Sequence, residues 1–309
     1  FYLVEKNIDA DYPLEAPVGT SGRAEKVGQA YGIDAANEFD PIVEDIYDFC
    51  EAQEIDIDTI SHESGPAQLE INFNHGDPLE LADQVFLFKR TVRQAALKHN
   101  VYATFMAKPH QDEPGSSMHL HQSLMDLKTG QNLFKGRGKK PSKLFMAHVA
   151  GLQRYMPAAM GFCAPNVNSY RRLVPNSDAP TNTHWGMDNR TAPLRMPNSD
   201  AQNTRIENRV PGADANPYLC IAASLACGYL GMMEKLEPSA PIEGSAYRYA
   251  HSLPINLDDA MNKLNYSKPL KTVLGQRFVD AFMAVKEEEQ VQYRKVISSW
   301  EREFLLLNV

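Results

Sequence analysis

Helix-like and strand-like segments follow one another along this sequence without regular alternation. Apolar residues recur at helical spacing in four segments and in a tail, namely 39–53, 79–100, 142–157, 215–235 and the chain from 257 onward. Short strands are expected at 1–4, at 101–109, at 118–124, and on both sides of a break at Ser64-Gly65-Pro66 within 56–73. A doubly wound fold needs strands and helices in regular alternation, so the sequence predicts an α+β domain instead.

Two stretches show no periodicity. Residues 11–37 are rich in Gly, Pro and charge, which indicates a long loop or lid. Residues 163–215 are dense in Pro, Asn, Asp and Arg, so we expect strands joined by long functional loops there.

The balance of charge excludes some partners. Lys and Arg number 31 against 39 Asp and Glu, a net charge of −8. This balance disfavours nucleic acid and anionic lipid and favours a cationic partner. The longest apolar stretches, such as 219–227, fall short of the roughly 20 residues that cross a bilayer, so no membrane span is expected. Four widely spaced cysteines indicate reduced thiols in a cytoplasmic protein.

Two carboxylates flank the Gly65-Pro66 turn. The turn resets the alternation of the two strands, so Glu63 and Glu70 are able to point into one cavity. Neighbouring carboxylates repel unless a cation or a proton lies between them, which favours a hard divalent metal ion. The alternative is a hairpin with two surface glutamates.

The segment Met118-His119-Leu120-His121 places two imidazoles on one strand face by alternation. Such a pair is able to bind a metal ion or a phosphate, or it is structural. The preceding small-residue loop, 114–117, offers backbone N–H groups to an anion.

The segment 205–209 places Arg205, Glu207 and Arg209 on one face of one strand. A carboxylate between two guanidinium groups suits a site that holds both a metal ion and anions, and the alternative is an exposed salt-bridged strand. Six arginines lie within 171–209 of a chain that is acidic overall, which points to a phosphate or carboxylate substrate. Together with the carboxylates and histidines they indicate phosphoryl transfer from ATP.

Five ordered segments resemble the catalytic domain of glutamine synthetases: 63–70, 108–123, 168–175, 189–195 and 205–219. The text of 30–56 and 71–109 is similar to the branch that joins glutamate to putrescine or a related polyamine. The resemblance implies one catalytic domain over 1–309, with a curved antiparallel sheet that forms an active-site funnel backed by helices. It also implies an ATP-dependent ligase of polyamine and nitrogen metabolism that makes a γ-glutamyl amide through γ-glutamyl phosphate.

Carried over residue by residue, the resemblance implies specific roles. Ligands of two or more Mg²⁺ or Mn²⁺ ions would be Glu63, Glu70, His119 and Glu207. Nucleotide contacts would be His121, Ser123, Arg195, Arg205 and Asp58. Glutamate and amine contacts would be Gly115, Arg172, Arg209 and Tyr31. Arg190 and Arg195 match the arginines that meet the transferred phosphate, and the candidate catalytic groups are Arg190, Asp178 and Glu63.

The sequence also departs from that family. Asp178 stands where ammonia-using members carry a longer Glu, which leaves room for a larger amine. Pro114 and Ser117 replace an Asn and a Gly of the glutamate loop. The chain opens on the strand pattern of Phe1 without an initiator Met, and the family's Glu-x-Glu ligands and small β-grasp domain are not in it. We therefore expect a segment upstream.

The resemblance further implies small-molecule substrates and a homo-oligomer, namely a dodecamer of two hexameric rings. Two other functions stay open: a glutamine synthetase that uses ammonia, and a non-catalytic oligomeric protein that retains the fold.

Overall fold

A computed structural model describes residues 1–136, 138 and 140–309. The helices are α1 (Ile33–Asn37), α2 (Asp40–Ala52), α3 (Pro78–Lys98), α4 (Lys143–Cys163), α5 (Ser169–Arg172), α6 (Pro217–Met233), α7 (Leu257–Tyr266), α8 (Lys268–Leu274), α9 (Gln276–Tyr293) and α10 (Ser299–Leu305). The strands are β1 (Tyr2–Glu5), β2 (Ile57–His62), β3 (Leu69–Phe73), β4 (Val101–Thr104), β5 (Leu120–Gln122), β6 (Trp185–Met187), β7 (Leu194–Met196) and β8 (Ile206–Asn208). This is an α+β fold, as predicted.

The strands form three sheets within the described residues, not one continuous antiparallel sheet. β1 pairs with β4, β2 pairs with β3, and the third sheet has the order β5-β8-β7-β6. All of these pairs are antiparallel except β6 with β7, which is parallel and corrects the expectation. The connection 188–193 turns back on itself, and within it the Asn189 side chain accepts from the Thr191 amide. The chain thereby returns to the end of the sheet at which β6 begins, so β7 runs parallel to β6.

Helix α4 continues six residues beyond the end that the sequence predicts. It starts at the cap Ser142, whose hydroxyl accepts from the Phe145 amide, and it passes through Pro157 to Cys163. A proline inside a helix removes one backbone hydrogen bond. The last turns bury Met160 and Phe162, so packing outweighs that loss.

Other elements differ in extent from the prediction. β4 covers four residues of the expected 101–109, because the Met106 amide turns back to the Thr104 hydroxyl. β5 covers three residues of the expected 118–124, although the Met118 amide still donates to the Pro211 carbonyl. Two short helices, α1 and α5, lie in stretches where we expected loops and strands.

Two apolar cores organise the chain. The first is formed by α4, α6 and α7 with β6, β7 and β8, and it buries Trp185, Leu194 and Ile206. The second is formed by β1 to β4 with α2 and α3, and it buries Leu3 and Val92 among others. Among the described residues, no helix combines the length and the apolar character that a bilayer crossing requires. The four cysteines are buried and free.

Candidate active site

Strand β8 lies between β5 and β7, and its register places Glu207 at the centre of the third sheet. Glu207 stands directly opposite His121 on β5 and opposite Arg195 on β7. Directly opposed residues in antiparallel strands share a sheet face. Three of the predicted residues are therefore brought together by strand pairing alone.

Glu207 is held by two guanidinium groups. Its Oε2 accepts from Arg195 Nη1 at 2.8 Å, and its Oε1 accepts from Arg209 Nη1 at 2.8 Å. The side chain is buried, and burial alone would raise its pKa. The neighbouring His119, Arg209 and Arg195 outweigh burial and lower that pKa to about 2. Glu207 is thus a carboxylate at any physiological pH, and the alternative of an exposed salt-bridged strand does not hold.

His119 is the neutral partner in this cluster. Its Nδ1 lies 3.3 Å from Glu207 Oε1, and its Nε2 lies 2.9 Å from the Ser117 hydroxyl. Burial, together with the charge of Arg209, lowers the pKa of His119 to about 3. A neutral imidazole keeps one lone pair free to bind a metal ion.

The hairpin of β2 and β3 places the other two predicted carboxylates together. Glu70 faces Ser61 across the hairpin, and Glu63 follows two residues after Ser61, where its amide donates to the Gln68 carbonyl at 2.7 Å. Both glutamates are half-buried. Burial and the charge of Glu70 raise the pKa of Glu63, so these carboxylates repel each other and are not two free surface groups.

The donors for a metal ion are present as two pairs, Glu63 with Glu70 and His119 with Glu207. Among the residues that the structure describes, no three His, Cys, Asp or Glu side chains are grouped closely enough to hold a metal ion. Carboxylate oxygens and a neutral imidazole are suitable ligands for Mg²⁺ or Mn²⁺. The chemistry of the donors fits a divalent cation, but the side chains as placed do not close around one.

Arg190 connects the two pairs electrostatically. Its Nη1 donates to the Tyr31 hydroxyl at 2.9 Å. The Tyr31 hydroxyl and the charge of Glu207 raise the pKa of Arg190, and Arg190 in turn opposes the upward shift in the pKa of Glu63. One carboxylate of each pair, Glu63 in the first and Glu207 in the second, therefore interacts with the charge of the same guanidinium.

The loop 114–117 packs closely on Arg172. A side chain on Gly115 would overlap both the Arg172 stem and the Ala107 carbonyl. Arg172 is buried, its Nη2 donates to the Val210 carbonyl, and burial lowers its pKa to about 10. Gln68 Nε2 donates to the Gly115 carbonyl at 3.1 Å and ties this loop to the hairpin of β2 and β3.

The remaining predicted residues lie further from this cluster or at its edge. Arg205 Nε donates to His121 Nδ1 at 3.1 Å, which joins two predicted nucleotide contacts. The side chains of Asp58 and Ser123 are exposed, and the structure records no contact between either of them and the cluster in the described part of the chain. Asp178 is exposed on a loop with a positive φ of 54°.

Three residues near the site were not found from the sequence. Asp188 accepts from Arg195 Nε at 3.1 Å and thereby orients the guanidinium that binds Glu207. Asp214 accepts from the Ser169 hydroxyl at 2.6 Å and so holds the start of α5, which carries Arg172. Glu25 contacts His62 from within the predicted loop 11–37. Asp188 precedes an arginine-rich segment, which is a usable signal, whereas nothing local distinguishes Glu25.

The chain is similar to known proteins in its family, its sequence and its structure. The family model "Glutamine synthetase, catalytic domain" matches residues 1–305. The gamma-glutamylputrescine synthetase PuuA of Escherichia coli is 38% identical over 312 residues, which cover 100% of this chain and 66% of that protein. The glutamate–isopropylamine ligase of a Pseudomonas species is 36% identical over 287 residues, which cover 90% of this chain and 61% of that protein.

A relative named glutamine synthetase and two solved structures are similar as well. A glutamine synthetase of Pyrococcus horikoshii is 36% identical over 303 residues, covering 95% of this chain and 65% of that enzyme. The structure of GmaS without ligand superposes with a TM-score of 0.86 at 30% identity, and the GmaS/ADP complex with 0.85 at 31%. Each superposition covers 99% of this chain and 70% of the GmaS chain. The chain thus spans just under two thirds of the length of these three curated relatives.

Proposed function

Because the chain belongs to the glutamine synthetase catalytic-domain family, we propose that it catalyses ATP-dependent formation of an amide between the γ-carboxylate of glutamate and an amine. One observation supports this most directly. In a chain of net charge −8, Arg195 and Arg209 converge on the buried Glu207. Such a cluster suits anionic substrates held beside a metal ion.

The reaction proceeds in two displacements. A γ-carboxylate oxygen of glutamate attacks the γ-phosphorus of ATP, the bond from phosphorus to the bridging oxygen breaks, and ADP leaves. The neutral amine then attacks the acyl carbon of γ-glutamyl phosphate, and inorganic phosphate leaves with the electrons of the broken C–O bond. The amine loses a proton in forming the amide.

Arginines supply the charge stabilisation in this proposal. Arg190 and Arg195 would contact the transferred phosphoryl group, whose oxygens spread negative charge in the transition state. Arg209 would bind a glutamate carboxylate beside the Gly115 loop. Arg172, buried beneath that loop, would hold it and add positive charge. His121, Arg205, Ser123 and Asp58 are the proposed nucleotide contacts.

A base is needed because a primary amine with a pKa of about 10 is protonated at neutral pH and cannot attack. We propose Asp178, which is exposed on its loop. Burial raises the pKa of the nearby Tyr247, and the charge of Asp178 adds to that shift. Glu63 is the alternative base.

Glu63, Glu70, His119 and Glu207 would hold the Mg²⁺ or Mn²⁺ ions. When bound, these ions would neutralise the charge of the ATP phosphates and would offset the repulsion between the carboxylates. The protein's own contribution is to keep the donors ionised or neutral as required and to hold them at fixed places: Glu70 on β3, Glu207 on β8, Glu63 directly after β2 and His119 directly before β5.

For the amine we propose a polyamine or another primary amine. PuuA is named for putrescine and a second relative for isopropylamine. The net charge of −8 favours the approach of a polycation, and the shorter Asp178 leaves room for more than ammonia. A glutamine synthetase is the second candidate, since the chain is also similar to ammonia-using enzymes. We also propose a cytoplasmic homo-oligomer, and light scattering would decide whether it is a dodecamer.

The test is ADP release by the full-length protein with ATP, Mg²⁺ and glutamate, in the presence of putrescine, isopropylamine or ammonium. We expect release with an alkylamine and a product whose mass equals glutamate plus amine minus water. Release with ammonium alone would replace the polyamine assignment by glutamine synthesis. No release with any amine, together with no binding of Mn²⁺ and ATP by calorimetry, would favour a non-catalytic protein.

A pair of arginine variants tests the mechanism. Arg190→Gln should lower kcat by about 10²–10³-fold, because it removes a charge that acts on the transition state. Arg171→Gln is the matched control, since Arg171 is exposed beside the buried Arg172. Equal activity of the two variants would contradict the role of Arg190.

A further inference from the structure

Glu25 fastens the loop 18–32 to the turn that carries Glu63. Its Oε2 accepts from the Ala67 amide at 2.6 Å and lies 2.9 Å from His62 Nε2. The His62 side chain is 0% exposed and that of Glu25 is 11% exposed. This carboxylate is therefore enclosed between the loop and the hairpin of β2 and β3.

The same loop touches the hairpin at two further points. The Tyr31 amide donates to the His62 carbonyl at 2.8 Å. A side chain on Gly28 would overlap the Ser64 carbonyl, so only glycine permits this approach. The loop consequently packs along the whole turn from His62 to Ala67.

His62 connects Glu25 to Glu63 through its two ring nitrogens. Its Nδ1 lies 2.8 Å from the Glu63 carbonyl oxygen, which only accepts, so Nδ1 must donate. Its Nε2 faces the Glu25 carboxyl, whose oxygen already accepts from Ala67. The His62 ring thus joins the Glu25 carboxyl group to the backbone carbonyl of Glu63.

Ala67 adds a second reason for the contact. It has a positive φ of 54°, a conformation that is unfavourable for a non-glycine residue. The bond from its amide to Glu25 stabilises the backbone at this point. Without it, the six-residue turn 63–68, which contains Glu63 and leads to Glu70 on β3, would lose its only recorded side-chain anchor from the loop within the described residues.

We propose that Glu25 is a positioning residue for Glu63: through His62 and Ala67 it fixes the turn so that the Glu63 carboxylate stays beside Glu70. The inference rests on the proposed function, in which Glu63 holds a metal ion. Groups that orient a metal ligand are worth about 10–100-fold in metal affinity or activity. The same loop also carries Tyr31, whose hydroxyl accepts from Arg190.

Glu25→Gln is the test variant, with Glu38→Gln as its matched control. Glu38 accepts from the Ser21 amide at 3.0 Å, so it anchors the same loop without touching the hairpin. A glutamine at position 25 still offers an oxygen to the Ala67 amide but no carboxyl group to His62. It therefore keeps the size of the side chain and removes the link to Glu63.

Three measurements on the full-length protein decide the matter, after thermal melts show that both variants fold. Amide hydrogen exchange should accelerate across 62–68 in Glu25→Gln and only near Ser21 in Glu38→Gln. The Mn²⁺ dissociation constant, with the metal alone, should rise about tenfold or more in Glu25→Gln. In the ADP assay kcat should fall in Glu25→Gln, while the KM for ATP stays within about twofold.

The proposal would be overturned if Glu25→Gln left both the exchange across 62–68 and the Mn²⁺ affinity unchanged. It would also be overturned if Glu38→Gln lost as much Mn²⁺ affinity and activity as Glu25→Gln, or if the wild-type protein bound no Mn²⁺. Wild-type protein that binds Mn²⁺ but releases no ADP would refute the proposed function alone. In that case the exchange and Mn²⁺ measurements still test Glu25.

Discussion

His148 lies in the first core without a hydrogen-bond partner at either ring nitrogen among the described residues. It is 1% exposed and packs against the Phe134 ring, with centroids 5.1 Å apart. Burial lowers the pKa of His148 from 6.5 to about 4, so the ring is neutral when the protein is folded at neutral pH. This histidine contrasts with Glu207, which is equally buried but balanced by two guanidinium groups.

The burial of His148 predicts that the protein loses stability in mild acid. The unfolded chain takes up a proton at this residue near pH 6.5, but the folded chain does so only near pH 4. Stability therefore falls as pH decreases through this window, by about 3 kcal/mol in total. In His148→Leu, the free energy of unfolding from urea titrations should depend less steeply on pH between 7 and 4.5.

His75→Gln is the control for this prediction, because His75 is exposed and outside the core. The free energy of unfolding of His75→Gln should depend on pH as steeply as that of the wild type. An equal slope in His148→Leu and wild type would show that burial does not keep His148 neutral.

Two helices of the first core approach each other through glycines. Side chains on Gly151 of α4 and Gly231 of α6 would overlap the carbonyls of Cys227 and Ala147, respectively. The contacting atoms are backbone, so no rotamer change relieves the overlap. Because α4 and α6 carry much of the first core, the close contact between them fixes the helical surface against which β6, β7 and β8 pack.

Gly231→Ala tests the contact. Alanine favours a helix by about 1 kcal/mol over glycine, so a free helix would gain stability. Here the helices must separate, and we expect a net loss of about 1–3 kcal/mol, measured by urea unfolding. Gly76→Ala is the control, since a side chain there meets its nearest atom at 3.9 Å. A stabilised Gly231→Ala protein would contradict the close packing.

At the scale of the whole molecule, Lys89 joins the two cores. It lies on α3 in the second core, and its Nζ donates to the carbonyls of Ala213 at 2.6 Å and Ala215 at 2.7 Å in the first core. Burial lowers the pKa of Lys89 to about 8. The loop that it holds connects Arg209 with α6, so this contact also supports the candidate site.

Lys89→Met should destabilise the protein by about 1–3 kcal/mol, because two inward-facing carbonyls lose their donor. Hydrogen exchange should accelerate in the loop 211–216. Lys98→Met on the same helix is the control: Lys98 is 58% exposed, and surface ion pairs are worth about 1 kcal/mol or less. Equal effects of the two substitutions would show that Lys89 does not couple the cores.

Features that depend on a local pattern could be predicted from the sequence alone. Alternation predicted that Arg205, Glu207 and Arg209 share one side of their segment, although β8 covers only Ile206–Asn208 and the two arginines flank it. The Gly65-Pro66 turn predicted that Glu63 and Glu70 lie together at a hairpin, and helical spacing located α2, α3 and α6. These follow from the backbone periods of 3.6 and 2.0 residues, which a few neighbouring residues suffice to define.

Which distant segments meet could be seen only in the folded chain. The parallel pairing of β6 with β7, the passage of α4 through Pro157, the contact of Glu25 with His62 and the bonds of Lys89 to Ala213 and Ala215 leave no local signal. Each is stabilised by burial or by hydrogen bonds between residues far apart in the chain. Such contacts form only after long loops close, so the energy of the packed molecule selects them.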